Sequence, residues 1–310
     1  MYKVIRSQAP QILKFVSSDR HELDMIFDFD IVTVGGHLRL PKHETYKPPL
    51  TEIKAALAKT QRLSAGTDAW ATVFGENHDN GRSVSRYATD VPEFRERAAK
   101  LLALLLATLS GTLFVYQGQE IGTYNMPLDW IPQELKDVEV LKYWDEVNKR
   151  YPNDKDLLKR AKAGIQLLGR DNARLPVQWD SSENAGFSTG KPWIRVHDDY
   201  KNVNVQKQVE KGASSVLAFW KRVIQLRKKH ADVFVHGAFE MKGFDNEEIF
   251  SYVKTENGGG RKACVVLNFT EKKQKVSLPE GMQGAELTLG NYDKKGEELD
   301  AWEGRVYMTK

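Results

Sequence analysis

Residues 92–116 read PEFRERAAKLLALLLATLSGTLFVY, and this stretch decides the fold. The apolar run from Leu101 to Tyr116 is broken at Ser110 and Gly111. It therefore falls short of the about 18–20 continuous apolar residues needed to span a bilayer. It reads instead as a buried helix over residues 92–110, with Pro92 near its start, a glycine stop at Gly111, and a buried strand over 112–116. Upstream, WATVFG (70–75) is a second short buried strand, and residues 23–34, LDMIFDFDIVTV, are strand-like in their Ile, Phe and Val content. Helical spacing occupies residues 8–18 and 50–64, the latter with apolar positions at Ile53, Ala56, Leu57 and Leu63. Strand and helix in alternation predict βαβ units and a parallel sheet. Three parallel strands are few for a sheet buried on both faces, so the array looks incomplete on its N-terminal side.

From about Gly122 to Gly212 the pattern dissolves into mixed aromatics, prolines and charges, with one clear helix over 154–168. Long connections of this kind are usually functional. Residues 214–230, SSVLAFWKRVIQLRKKH, form an amphipathic helix that Ser214 or Ser215 can cap, with Arg227, Lys228 and Lys229 suited to its C-terminal end. Beyond residue 232, EIFSYVK, KACVVLNF, QKVSLP, AELTLGNY and RVYMTK are short strands. Asn257-Gly258-Gly259-Gly260 joins the first two as a hairpin. The expected organisation is an α/β part over 1–232 and a small antiparallel β domain over 233–310.

Composition narrows the function. Of 310 residues, 46 are Lys or Arg and 42 Asp or Glu, a net charge of +4, with 41% hydrophobic and 28% charged residues. That excludes a collagen, a coiled-coil rod, a disordered tail and a disulfide miniprotein. The small net charge argues against a nucleic-acid or polybasic membrane partner. Cys264 is the single cysteine, so an intrachain disulfide and a cysteine zinc cluster are excluded. No secretory leader is legible, and the expected location is cytoplasmic, which makes the sequon Asn268-Phe269-Thr270 a chance match. His21, His37, His43, His197, His230 and His236 show no metal-ligand spacing, and no phosphate-binding or dinucleotide glycine loop appears. The expectation is no metal and no cofactor.

Four groups of residues carry possible chemistry. Glu76-Asn77-His78-Asp79-Asn80-Gly81-Arg82 follows a buried strand, where ligands bind in α/β sheets and barrels. His78 and Asp79 there suit vicinal hydroxyls or a developing positive charge, against the plainer reading of a polar turn in which Asp79 caps the next helix. Tyr116-Gln117-Gly118-Gln119-Glu120-Ile121-Gly122 also follows a strand, and its glycines suggest special backbone geometry. Glu120 reads as structural. In residues 170–180, RDNARLPVQWD, arginines and aspartates surround a proline–aromatic stretch, equally suited to ligand recognition and to a salt-bridge network. Asp28 and Asp30, read as sharing one strand face roughly 6.6 Å apart, cannot flank a sugar ring from opposite sides and are rejected as a catalytic pair.

GENHDNGRSVSRY (75–87), GTLFVYQGQEIG (111–122), GRDNARLPVQWD (169–180) and NAGFSTGKPW (184–193), in this order, resemble the fungal maltase and oligo-1,6-glucosidase branch of glycoside hydrolase family 13. The ending, LGNYD followed by DAWEGRVYMTK, fits the same proteins. The resemblance implies a (β/α)8 barrel with a C-terminal antiparallel β domain, of which this chain would hold barrel strands six, seven and eight plus the C-terminal domain. It implies a retaining α-glucosidase acting on small oligosaccharides of the maltose, isomaltose or sucrose type, monomeric as a full-length chain. Asp79 would be the third family carboxylate, stabilising an oxocarbenium-like transition state; His78 would bind the same glucose, and Arg170 its non-reducing end. Asn80-Gly81 stands where many relatives have Gln-Ala. The family's nucleophilic Asp, in a G-F-R-x-D type motif, and its acid/base Glu have no counterpart here. The chain is therefore expected to be a shortened member, inactive alone, with an exposed strand edge. The alternative is a non-catalytic pseudo-enzyme that binds sugar or a partner chain. A transporter heavy subunit of the same superfamily would need an N-terminal span, which the sequence does not show.

Overall fold

The computed structural model describes residues 2–4, 9–36, 44–63, 65–292 and 296–310. Strands β1 (Tyr2–Val4), β2 (Ile26–Asp28), β3 (Thr72–Val73) and β4 (Thr112–Leu113) all run parallel. β1 pairs with β2 and β3 with β4, and a parallel bridge between Ile26 and Ala71 joins the two pairs into one row. The helices between them are α1 (Ala9–Val16), α2 (Asp30–Thr33), α3 (Leu50–Leu63), α4 (Ser83–Tyr87) and α5 (Arg95–Ala107).

Two readings of the first strands are corrected. The parallel array has four strands among the described residues, because Tyr2–Val4 adds one where no strand pattern was legible. Residues 23–34 are not one strand: pairing stops at Asp28 and the chain turns into α2 at Asp30. The Asp28 carboxylate accepts from the Asp30 amide at 2.9 Å, an Asx turn that overrides the β preference of Ile31, Val32 and Thr33.

Helix α5 is buried nearly all round, from Ala98 to Ala107. A helix without a polar face must be covered on every side. It belongs to one apolar cluster with Val73 and Phe74, with Phe219, Trp220 and Val223, and with Phe250, Tyr252, Val265 and Leu267. Its C-terminal carbonyls find an unusual partner. Arg227 donates to Ala107 O at 2.9 Å, to Leu109 O at 2.6 Å and to Gly111 O. The guanidinium thus satisfies acceptors that the helix end leaves free and complements the dipole there. Burial lowers the pKa of Arg227 to about 10.

The middle of the chain holds more helix than its pattern showed. α6 (Val138–Arg150), α7 (Lys155–Leu168), α8 (Asp171–Arg174) and α9 (Val205–Glu210) precede α10 (Val216–Lys229) and α11 (Ala231–Phe234). Asp154 caps α7 and Ser215 caps α10 through Leu157 N at 2.9 Å and Ala218 N at 3.1 Å. No helix among the described residues is long and apolar enough to cross a membrane.

The C-terminal strands are β5 (Ala238–Lys242), β6 (Ile249–Thr255), β7 (Lys262–Asn268), β8 (Gln274–Lys275), β9 (Glu286–Gly290), β10 (Glu298–Leu299) and β11 (Gly304–Met308). Five of them form an antiparallel sheet in the order β5-β6-β7-β11-β9, and β8 pairs with β10. Gly258 and Gly259 turn the β6–β7 connection with φ of 91° and 85°, as the Asn-Gly-Gly-Gly string predicts. Asn268 is fully buried and its amide donates to Lys272 O and Asp300 O, so the sequon asparagine is a structural bracket.

Candidate active site

The segment after β3 is shaped by Glu76. Its carboxylate is fully buried and accepts from Arg82 at 3.0 Å, from the Ser83 amide at 3.0 Å and from the Ser83 hydroxyl at 2.6 Å. Asn77 Oδ1 accepts from the Asp79 amide at 2.8 Å, and the Asn80 side chain donates to Val32 O at 3.2 Å. These bonds tie down 76–83 and leave His78 and Asp79 facing out, with side chains 71% and 29% exposed.

Asp79 is not a helix cap. The residue before α4 is Arg82, and the orphan amide of Ser83 is taken by Glu76. Asp79 instead meets Arg174 at 3.0 Å, Arg170 at 3.8 Å and His78 Nε2 at 3.3 Å. Arg174 also donates to His78 O at 3.0 Å, locking the backbone of the pair. His78, Asp79 and Arg170 thus come together, but Arg170 is held mainly by Asp137, through bonds of 2.8 and 2.5 Å. Burial opposes ionisation of Asp137, yet the bonds from Arg170 and the Glu139 amide outweigh it and its pKa falls. The Asp137 bond in turn raises the pKa of Arg170.

Beside this polar wall lies a cleft of about 490 Å³, walled by Phe27, Phe29, Phe74 and Phe114 and closed by Val115 and Tyr116. Phe27 packs on Phe74 at 5.4 Å and on Phe114 at 4.9 Å between ring centroids. These rings come from the ends of β2, β3 and β4, the strand ends that build sites in open sheets and barrels. A wall of aromatic carbon in a cleft also lined by the Asp79 carboxylate and the His78 imidazole suits a ligand with one apolar face and several hydroxyls.

The other candidates lie elsewhere. Glu120 is in a 3-10 turn outside the cleft lining; Gly118 and Gly122 on either side of it adopt φ of 89° and 73°. Asp28 accepts from Thr60 at 2.6 Å and Asp30 pairs with Lys59, so the two do not share a strand face as the alternation suggested. Burial raises the pKa of Asp28. His37 and His43 lie outside the described residues. Among the described residues no group of three His, Cys, Asp or Glu side chains could hold a metal ion.

The sequence reading takes Arg174 only as one of the arginines of residues 170–180, and two other residues of the site escape it. Arg174 was the legible one, four residues from Arg170, a spacing that puts both on one helical face. Asp137 had no local signal. Asn125 takes the Arg82 amide at 2.7 Å and donates to Gln166 O and Leu167 O, binding the site loop to the end of α7. This packing explains Gly81: a Cβ there would stand 2.3 Å from Leu167 O. Gly81→Ala is expected to cost about 1–3 kcal/mol through forced backbone shifts, read as a lower urea midpoint. An unchanged midpoint would show that the loop yields freely.

Comparison with known proteins gives a consistent answer. The alpha-amylase catalytic domain matches residues 3–237, a span that includes β2, β3, β4, all but the first residue of β1, and the whole cleft. The chain is 38% identical over 311 residues to an alpha-glucosidase of Candida albicans, covering 99% of this chain and 54% of that protein. It is 36% identical to an oligo-1,6-glucosidase of Saccharomyces cerevisiae, covering 96% of this chain and 51% of the relative. The chain thus spans about half the length of the curated relatives it matches. Among solved structures, the trehalulose synthase MutB is 31% identical with a TM-score of 0.87, over 99% of this chain and 55% of that one. The trehalose-6-phosphate hydrolase of Bacillus licheniformis is 28% identical with a TM-score of 0.88, over the same shares. Parallel strands ending in an aromatic cleft, the His78–Asp79 pair at its rim and a family match across both together show that the chain belongs to the alpha-amylase family, glycoside hydrolase family 13.

Proposed function

We propose that the chain forms one wall of a retaining α-glucosidase site for small oligosaccharides with a terminal α-linked glucose. Its parallel strands are read as part of a (β/α)8 barrel that includes strands six to eight, with the antiparallel domain beginning near residue 233. The observation that carries the reading is Asp79, presented beside His78 at the end of β3 and oriented by Arg174. In this role Asp79 accepts hydrogen bonds from the sugar hydroxyls next to the reacting carbon, and its charge opposes the positive charge of the transition state. His78 binds the same ring, and Arg170, kept straight by Asp137, binds the ring's far side.

Retaining hydrolysis needs a nucleophile and an acid/base about 5–5.5 Å apart. The other carboxylate lining the cleft is Glu76, already committed to Arg82 and Ser83. We therefore place neither catalytic role in these residues, and the chain alone is expected to bind saccharide without cleaving it. Incubation with a chromogenic α-glucoside should give no release above the buffer rate. Titration with maltose should give a saturable response that Asp79→Ala weakens about tenfold, the loss of one charge-assisted hydrogen bond. Turnover by the purified chain would overturn the division of roles. A maltose response indifferent to Asp79 would overturn the site.

A further inference from the structure

A second cleft of about 660 Å³ opens in the loop region, and none of its lining residues lines the first. Its floor is rigid. Arg195 lies over the Trp130 ring at 4.4 Å and pairs with Glu134 at 2.9 Å and Asp198 at 2.6 Å, while Trp130 Nε1 donates to Asp198 at 2.9 Å. On its rim stands Trp193, 62% exposed. Its neighbours hold the indole out: Pro192 stiffens the approach, and Ile194 is buried against Met126, Trp130 and Leu135.

The preceding loop is built with equal care. Asn184, Ala185 and Gly186 are consecutive left-handed residues, with φ of 54°, 58° and 65°. The Ala185 carbonyl accepts from both Trp179 N and Asp180 N, at 2.9 and 3.2 Å. The Asn184 amide donates to Ser188 O and Gly190 O, closing the loop just before Lys191. Non-glycine residues are held this way only where their surroundings over-determine them, and such positions cluster at ligand sites.

The ligand class follows from the lining. Glu134, Glu183 and Asp198 oppose a polyanion, and Lys136, Lys191 and Arg195 oppose a polycation. An apolar peptide would find one exposed indole among charges. A neutral polyhydroxylated chain fits: its C–H face covers the indole and its hydroxyls meet charged donors and acceptors. The cleft also adjoins the first site through the backbone, since Lys136 N and Asp137 N both donate to Asp171, and Asp137 grips Arg170.

We propose that this cleft is a separate oligosaccharide-binding site in which a sugar ring stacks on Trp193. The proposal deepens the saccharide reading of the chain but uses none of the groups around Asp79. It is tested by calorimetric titration of the full chain with maltoheptaose. Trp193→Ala should weaken binding about tenfold, whereas Trp193→Phe, which keeps an aromatic face, should stay within about threefold of the parent. The terminal glucose of maltoheptaose can also enter the first cleft, so Asp79→Asn should weaken only the binding event that maltose shares and leave the Trp193-dependent event. Trp193 is exposed, so its replacement leaves core contacts in place, and circular dichroism verifies the fold. No saturable maltoheptaose binding, or binding in the Asp79→Asn chain that Trp193→Ala leaves undiminished, overturns the proposal. So does binding abolished by Asp79→Asn while Trp193→Ala leaves it intact, which assigns it to the first cleft. Maltoheptaose binding that depends on Trp193 while maltose is indifferent to Asp79 would sustain this site and reject only the Asp79 reading.

Discussion

Replacing Arg82 by alanine is expected to destabilise the fold by about 3–5 kcal/mol, the cost of leaving a buried carboxylate without its partner. The side chains of Arg82 and Glu76 are 4% and 0% exposed and meet at 3.0 Å. Arg82 does more than neutralise Glu76. It donates to Gln117 O at 2.8 Å and Asn172 O at 3.2 Å, and its guanidinium lies 5.3 Å from the Tyr116 ring centre. One planar group therefore joins the loops after β3 and β4 to the segment that carries Arg170 and Arg174. Lysine cannot replace this fork, so Arg82→Lys should recover little. The double variant Glu76→Gln with Arg82→Met should lose less than the sum of its parts, because neither partner is left as an unpaired charge. Urea unfolding measures all of these. A loss below about 1 kcal/mol for Arg82→Ala would place the pair among weak surface contacts.

The second large effect is a dependence of stability on pH through Lys254. This fully buried lysine donates to Ser110 Oγ and to Gly237 O at 2.6 Å. Burial, with a smaller contribution from Arg227, lowers its pKa from 10.5 to about 7. Between these two values the unfolded chain binds the extra proton and the folded chain does not. Stability therefore rises with pH across that window, and the penalty of burying the charge is fully felt below its lower end. Over three pH units the gain is about 2–4 kcal/mol, discounted from the full linkage value because two oxygens partly solvate the ammonium. The measurement is the stability of the parent minus that of Lys254→Met, at pH 6.5 and pH 9.5. Subtraction removes Lys54, whose pKa burial also lowers, to about 8. A difference that stays flat with pH would mean that Lys254 is charged throughout.

How much of this was legible differs from element to element. Helix α5 and the β6–β7 hairpin were plain because a polar-free run and an Asn-Gly-Gly-Gly turn admit few conformations. The stretch after β2 was misread because Ile, Val and Thr favour strands, while the Asx turn that makes them helical is a single local bond. α6 went unseen although Asp137 caps it through Glu139 N at 3.0 Å, since only Val140 and Val147 of its residues are buried. At the site, the residue types around His78 and Asp79 singled out a segment that the structure places along a cleft. What they could not show is that Asp79 faces Arg174 rather than a helix end, because that pairing spans 95 positions of sequence. Nor could they show what crowds Gly81, which is the Leu167 carbonyl at the end of α7.

Helix α5, whose buried surface is shared between the strands that end at the cleft and the C-terminal sheet, has one more consequence. Exchanging the C-terminal sheet from β5 onward would separate Tyr252 from Thr108, 2.5 Å apart, and Lys54 from the carbonyls of Gly243 and Asn246. The graft would inherit half a contact surface. A graft that keeps this surface whole carries α5, α10 and the β6–β7 hairpin together, a wider unit than the antiparallel sheet alone.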